Sequence, residues 1–387
     1  MIDRSAEPRP IAVMIGQIGQ GGSERQLYTF LAHCDRKRWA PVLYVSSDVG
    51  DLASWRAPIG ALGVPIVQLR GRRHAKMLQF RAACIAQGAK SFFSWSSYTN
   101  GFGLALLGLG VHRVGSFRNA TFSDLPTRFR GLWARLSLAG VTTVVCNSRE
   151  TQAELSRIAG AAKNVVYVSN AVQTFSPEQI AAWRSKWRAE LGVSPADILI
   201  VGVGRLAPQK NFARFIEVIA QSSKAIPVKA VVIGRDDGLL QGLLEKVAQH
   251  NLQDVLRFVG PVADAREATC AADIFLLSSD FEGMPNVVLE AMAAGAPCVS
   301  TRVNGVIDLI EDGVTGFVAT DTSELSSRVV QLARDPDLRH AMGARSLNAI
   351  ERRRPEKIIP HLWALCEPPV TARSASTGVP SADTPSR

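Results

Sequence analysis

Two carboxylates, Glu282 and Glu290, sit in the run Phe281-Glu-Gly-Met-Pro-Asn-Val-Val-Leu-Glu-Ala-Met292. Pro285 and Asn286 suit a helix start, which puts Glu282 in the loop before the helix and Glu290 about one turn inside. Carboxylates flanking a helix N-terminus, where backbone N–H groups are free, can hold sugar or ribose hydroxyls beside a phosphate. A capping or salt-bridge role is the other reading of this segment. Two cations lie upstream, Arg205 and Lys210 in Gly204-Arg-Leu-Ala-Pro-Gln-Lys-Asn211. They follow an apolar run and precede a helical pattern. Both charges therefore reach the carboxyl edge of a sheet near a helix N-terminus, where a diphosphate binds best. Each charge-assisted hydrogen bond to phosphate is typically worth about 1.5–3 kcal/mol. Outside such a setting an Arg–Lys pair reads as a solvated loop.

A glycine-rich segment, Gly16-Gln-Ile-Gly-Gln-Gly-Gly-Ser-Glu24, also joins an apolar run to a helical pattern. Its glycines permit a tight turn and let another molecule approach the backbone. The spacing is not Gly-x-Gly-x-x-Gly, and no ribose-binding acid ends the following strand, so a nicotinamide site is disfavoured. A purely structural turn remains the alternative.

These segments need a scaffold, and the apolar pattern supplies one twice. Strands are expected at 10–16, 41–45, 64–69, 91–95, 112–117, 142–146 and 165–168, with a first helix from Ser23 to Ala32. A second series follows at 198–204, 229–234, 255–260, 273–279, 297–301 and 316–319. Strands alternating with helices of ten or so residues imply parallel sheets covered on both faces, an α/β fold of two doubly wound, Rossmann-like units. Ligands then belong at the carboxyl ends of the strands, in the cleft between the units. The expected boundaries are a first domain over 1–172, a connection over 173–196, a second domain over 197–352, a short helix over 353–366 containing Trp363, and a Pro/Ser/Thr-rich disordered tail over 367–387.

With these residues in place the chain resembles the retaining glycosyltransferases of family 4, the group 1 transferases, which have the two-domain GT-B fold. The match runs from the Gly-Gly-Ser-Glu-Arg segment through Asn147–Leu155, Ser169–Val172, Val203–Asn211 and the Glu282/Glu290 segment to Gly305–Val318, about 300 residues. The combination of Arg205, Lys210, Glu282 and Glu290-Ala-Met-Ala-Ala-Gly295 is specific; the glycine loop alone is not. The resemblance implies a metal-independent, retaining transfer of a sugar from a nucleotide-sugar donor (a UDP-sugar first) to a lipid-linked or glycan acceptor, in bacterial envelope polysaccharide or glycolipid synthesis. It assigns Arg205, Lys210 and Glu282 to catalysis, the first two holding the diphosphate and stabilising the leaving nucleotide in place of a metal. It places Gly21, Gly22, Gly283, Met284, Asn286, Val287 and Glu290 with them around the donor, Glu290 on the ribose. No cofactor is implied, since the nucleotide-sugar is a substrate. Where many members carry a His in the first domain, this chain has Arg118-Asn119, an acceptor-side pair whose role is open between acceptor contact, donor contact and structure. Asn170-Ala171 stands where Asn-Gly is frequent, and Asp308 where a Glu often appears. A catalytically silent partner subunit and a sugar-nucleotide epimerase of the same fold are the alternatives.

Composition fits this picture. Apolar residues make up 47% and charged residues 20% of 387 positions, an ordinary globular mixture. The net charge of +10 is uneven: residues 1–175 hold 21 basic and 9 acidic side chains, the remainder 23 and 25. Basic clusters at Arg70, Arg72, Arg73 and Lys76, and at Arg128, Arg130 and Arg135, suit an anionic membrane surface, at about 1 kcal/mol per residue near it, or form a solvated basic face with no partner. No recognised nucleic-acid motif accompanies the charge. The charged, proline-containing start and the short apolar run 101–111 point to a cytoplasmic chain, peripheral to the membrane at most. The six cysteines form no metal-ligand spacing and read as reduced thiols.

Overall fold

Uninterrupted apolar runs become strands buried on both faces, which a parallel sheet requires. A computed structural model describes residues 7–19, 21–47, 55–119, 122–123, 125, 130–160 and 163–369. Arg128 of the basic cluster and the tail from Val370 onward lie outside the described residues. The first sheet holds β1 (Arg9–Ile15), β2 (Trp39–Val45), β3 (Ile66–Gln68), β4 (Ser91–Ser94), β5 (His112–Phe117), β6 (Thr143–Cys146) and β7 (Asn164–Tyr167). The second holds β8 (Leu199–Val203), β9 (Lys229–Ile233), β10 (Leu256–Gly260), β11 (Ile274–Leu277), β12 (Cys298–Thr301) and β13 (Gly316–Ala319). Every expected strand is present, with ends shifted by up to two residues.

The order is β3-β2-β1-β4-β5-β6-β7 in one sheet and β10-β9-β8-β11-β12-β13 in the other, all pairs parallel. Ile11 faces Pro41 of β2 on one side and Ser91 of β4 on the other. Strand order therefore reverses between β1 and β4, and again between β8 and β11. Such switch points open a crevice at the carboxyl ends, where ligands of open α/β sheets bind. The segments that leave these four strands are the glycine-rich loop, Trp95–Ser97, Gly204–Lys210 and Ser278–Glu282. The topology thus delivers the expected site residues to two facing crevices.

The stretch 173–196 contains a helix, Pro177–Glu190, opened by a capping box between Ser176 and Gln179. It packs on the second domain, where Arg184 and Arg188 reach Asp273 at 2.5 and 2.9 Å. The chain returns to the first domain through the helix Pro355–Leu365. There the Trp363 ring stacks on Phe30 at 4.1 Å and its Nε1 donates to the Phe30 carbonyl at 3.1 Å. The two crossings touch each other: Val172 N donates to Arg353 O at 2.9 Å, and Arg353 Nη1 donates to Ser169 Oγ at 2.7 Å. The apolar run at 101–111 folds as a short helical turn with Phe102 and Leu106 buried. Among the described residues no helix is long and apolar enough to cross a membrane.

Candidate functional site

Lys210 closes a single helical turn after β8, and Asn211, at φ 44°, caps the next helix by accepting from Arg214 N. This turn aims Lys210 at the end of β11, where Nζ stands 2.6 Å from Glu282 Oε1. Ser279 Oγ donates to the same carboxylate oxygen at 2.7 Å, and Gln209 Nε2 to the other at 3.3 Å. Lysine and glutamate are both largely buried, so the pair sits in a medium where charge interactions count. Arg205 takes a different path: its Nη1 pairs with Asp237 at 2.8 Å and the side chain is half exposed. In this structure Arg205 is therefore held beside Lys210 in sequence but turned to the Arg235–Asp237 turn.

The helix Asn286–Ala293 begins at Pro285 with no side-chain cap, leaving its first N–H groups toward the crevice. Glu290, one turn in, is buried and pairs with Arg25 of the first domain. Burial holds the Glu290 carboxyl above its ordinary range, opposed by the charges of Arg25 and Arg266. Arg266 is itself fixed by Asp264, Nη2 to Oδ2 at 2.5 Å.

The first domain meets this helix with a helix start of its own. Gly21 caps Gly22–Ala32 without a side-chain bond. A β-carbon on Gly22 would lie 2.4 Å from the Asn286 amide nitrogen, so a larger residue there would displace the Asn286 side chain. Asn286 Oδ1 accepts from Gln26 Nε2 at 3.1 Å and from Asn170 Nδ2 at 2.8 Å. Two helix N-termini thus face each other across the crevice, an arrangement suited to an anion. Glu24 is buried nearby and accepts from Gly19 N at 3.3 Å; burial raises its pKa, and the charge of Arg205 opposes this.

At Gly283 the approach is to backbone and leaves no room for a side chain: a β-carbon would meet the Arg118 carbonyl at 2.2 Å and Asn119 Cα at 2.8 Å. Arg118 follows β5 and lies over the Trp95 ring at 3.7 Å. Its Nη1 donates to Asn170 Oδ1 at 3.2 Å, and burial pushes its pKa down to about 9. Asn119 is exposed. Met284 is buried, and its sulfur accepts from Asn170 N at 3.3 Å. Val287 is half-buried against the second core.

The structure therefore brings Gly21, Gly22, Arg118, Gly283, Met284, Asn286 and Glu290 to one interface, with Lys210 and Glu282 adjoining it. Arg25, Gln26, Trp95, Asn170 and Arg266 belong there too, and sequence reasoning did not single them out as site residues. Arg25 carried a signal, since a cation in the first turn of a helix opening at Gly21 must lie near the crevice. Beside Glu290 a cavity of about 510 Å³ runs between the domains, lined by Arg25, Tyr28, Trp55, Arg266, Glu290 and Arg354 among others. That is the size of a small-molecule site.

Residues 197–335 match the family model described as Glycosyl transferases group 1. The N-acetyl-alpha-D-glucosaminyl L-malate synthase of Bacillus anthracis is 29% identical over 175 residues, covering 44% of this chain and 46% of that protein. The alpha-D-kanosaminyltransferase of Streptomyces kanamyceticus is 26% identical over 321 residues, 79% of this chain and 81% of that protein. For the malate synthase the matched stretch is thus about half the relative's length, and for the core glycosyltransferase LpsE of Rhizobium meliloti it is 64%. Among solved structures, Anabaena HepE in complex with UDP-glucose superposes with TM-score 0.78 at 19% identity, over 92% of this chain and 98% of that one. WaaG, a glycosyltransferase involved in lipopolysaccharide biosynthesis, gives 0.72 at 15% identity, over 92% and 99%. The second domain is thus similar to the group 1 glycosyl transferases over residues 197–335, and the two facing sheets form the GT-B fold.

Proposed function

We propose that this chain is a retaining, metal-independent glycosyltransferase that moves a sugar, from a UDP-sugar first, to a lipid-linked or glycan acceptor in envelope polysaccharide or glycolipid synthesis. The Lys210–Glu282 pair beside two opposed helix N-termini carries the reading. The diphosphate would lie on the N–H groups of the Asn286–Ala293 helix, opposite Gly21 and Gly22, with Lys210 and a reoriented Arg205 neutralising the leaving phosphate. Glu290 would accept the ribose hydroxyls once they displace Arg25, and Glu282 would contact the transferred sugar. The departing phosphate itself takes the acceptor's proton on the same face, so no enzymatic base is required. The Gly22–Asn286 and Gly283–Arg118 contacts exclude water when the domains close. UDP-glucose bound to HepE, and the undecaprenol-linked acceptor named for an Escherichia coli galactosyltransferase 32% identical over 151 residues, support these substrate classes.

We place the chain on the cytoplasmic face of an anionic membrane through its first domain. The helices Arg73–Gln87 and Arg130–Ala139 pack on the same turn, Gly101–Leu106; the helices expose Leu78, Ile85 and Leu132, and the end of the turn exposes Leu107, among basic side chains.

The test is a donor screen: purified protein with UDP-, GDP- and ADP-sugars and chelator, reading released nucleoside diphosphate. Slow release from one donor, accelerated by a membrane lipid extract, is expected. No release and no thermal stabilisation by any nucleotide would remove the enzymatic reading.

A further inference from the structure

Three cations of the crevice are treated differently by the protein. Lys210 has Glu282 and Arg25 has Glu290, each within ion-pair distance. Arg118 has no carboxylate among the described residues. Its protein partners are one amide oxygen, on Asn170, and the face of Trp95. Its Nε and Nη2 are shut off from solvent and have no acceptor among the described residues, and there the neighbouring Asn147 Oδ1 is also unpaired. A guanidinium removed from water is costly unless an anion compensates it. The cation–π contact offsets part of that cost but uses neither of the free N–H donors. Arg118 is also locked in place: Asn147 Nδ2 donates to its carbonyl at 3.3 Å, and Gly283 is pressed against the same carbonyl. The Trp95 indole beneath it donates to Ser23 O at 3.0 Å, in the first turn of the Gly22–Ala32 helix. The fork therefore stands beside the reacting centre, on the first-domain side of it.

We propose that Arg118 reads an anionic group, a carboxylate or a phosphate, carried to the reacting centre by the transferred sugar or by the acceptor. The inference rests on the function proposed above and narrows its substrate class. A planar fork with two free donors, Nε and Nη2 on one edge, fits a carboxylate or phosphate bidentately. The neutral hydroxyls of a plain hexose would leave its charge uncompensated.

Calorimetric titration of the full chain tests this in two arms. The donor arm compares UDP-glucuronate with UDP-glucose. The acceptor arm, with UDP present, compares an alkyl glycoside bearing a diphosphate linker with the same neutral glycoside. The anionic probe is expected to bind about tenfold more tightly in one arm, and that arm names the source. Arg118→Gln should reduce the preference to under about twofold while UDP affinity stays within about twofold. Arg118→Lys, which keeps the charge without the fork, should retain an intermediate preference. Absence of preference in both arms, or a preference that survives Arg118→Gln, overturns the proposal. So does a tenfold loss of UDP affinity in both variants at unchanged melting temperature, because the fork would then belong to the donor diphosphate. Failure to bind UDP or GDP at all overturns the glycosyltransferase reading and this inference with it. Binding of UDP without anion preference overturns this inference alone.

Discussion

Arg25 and Glu290 are 265 residues apart in sequence and form an ion pair across the crevice. The pair links the start of one domain's helix to the second turn of the other's, at the edge of the 510 Å³ cavity. A ribose that hydrogen-bonds Glu290 must compete with Arg25 for the same carboxylate.

Glu290→Ala should therefore weaken UDP binding by about tenfold to a hundredfold, the worth of one or two charge-assisted hydrogen bonds. Calorimetry measures it, and an unchanged affinity would contradict the ribose role. A pH signature accompanies it. Burial raises the folded-state pKa of Glu290 above 4.5, so the folded chain holds this proton where the unfolded chain has lost it. This group's contribution to stability thus rises as pH falls toward 4.5, while UDP affinity falls over the same window as the acceptor is protonated. Glu290→Gln should flatten that pH dependence of binding.

Lys210→Ala should lower turnover by about a hundredfold or more, the usual cost of losing one preorganised contact to a leaving oxyanion. Single-turnover release of nucleoside diphosphate is the readout. A folded variant with near-normal turnover would remove Lys210 from the chemical step.

At Gly283 an added methyl meets backbone rather than a flexible side chain. Gly283→Ala should force the domains apart at a cost of about 1–3 kcal/mol, the range for overpacking. Small-angle scattering should show a larger radius of gyration, and kcat/KM should fall by about tenfold. The melting temperature should change little, because parting the domains relieves the clash without repacking either core. An unchanged radius and rate would show that the contact is dispensable.

Trp363 tests the opposite property. Trp363→Ala removes a ring stacked on Phe30 and a buried indole hydrogen bond. The first domain should lose about 3–5 kcal/mol. A lower urea midpoint by circular dichroism is expected; an unchanged midpoint would mean that the returning helix contributes nothing to stability.

Membrane attachment is tested by flotation with vesicles. Anionic vesicles should bind the chain at low salt and neutral ones should not, and Leu78→Asp with Leu132→Asp should abolish binding without altering UDP affinity. Equal binding to both vesicle types would count against the basic face.

The strands were legible because a parallel sheet is buried on both faces, so each strand writes an unbroken apolar run such as Ile11–Ile15 or Leu199–Val203. The Lys210–Glu282 pair was half legible: each residue sits next to a strand end, and the switch point brings those ends together. The orientation of Arg205 was not, since it depends on Asp237, a carboxylate in a turn without a pattern of its own. Arg25, Gln26 and Asn170 were hidden for another reason. Glu290, which pairs with Arg25, and Asn286, which bonds Gln26 and Asn170, lie in the other domain, and no local periodicity records which helix starts will oppose each other. Arg118 stood out as a residue type, but its isolation from any carboxylate is a property of packing alone.

The two chain crossings bonded at Val172 N and Arg353 O have a mechanical consequence. A single linker would let the second domain swing and twist in any direction. Two adjacent crossings tied by a hydrogen bond act as a pinned hinge, so the remaining freedom is mainly rotation about one line. Opening then retraces closing: Gly22 and Asn286, like Gly283 and Arg118, part and meet in register. The search for the productive arrangement is one-dimensional, and little entropy is lost each time the crevice shuts.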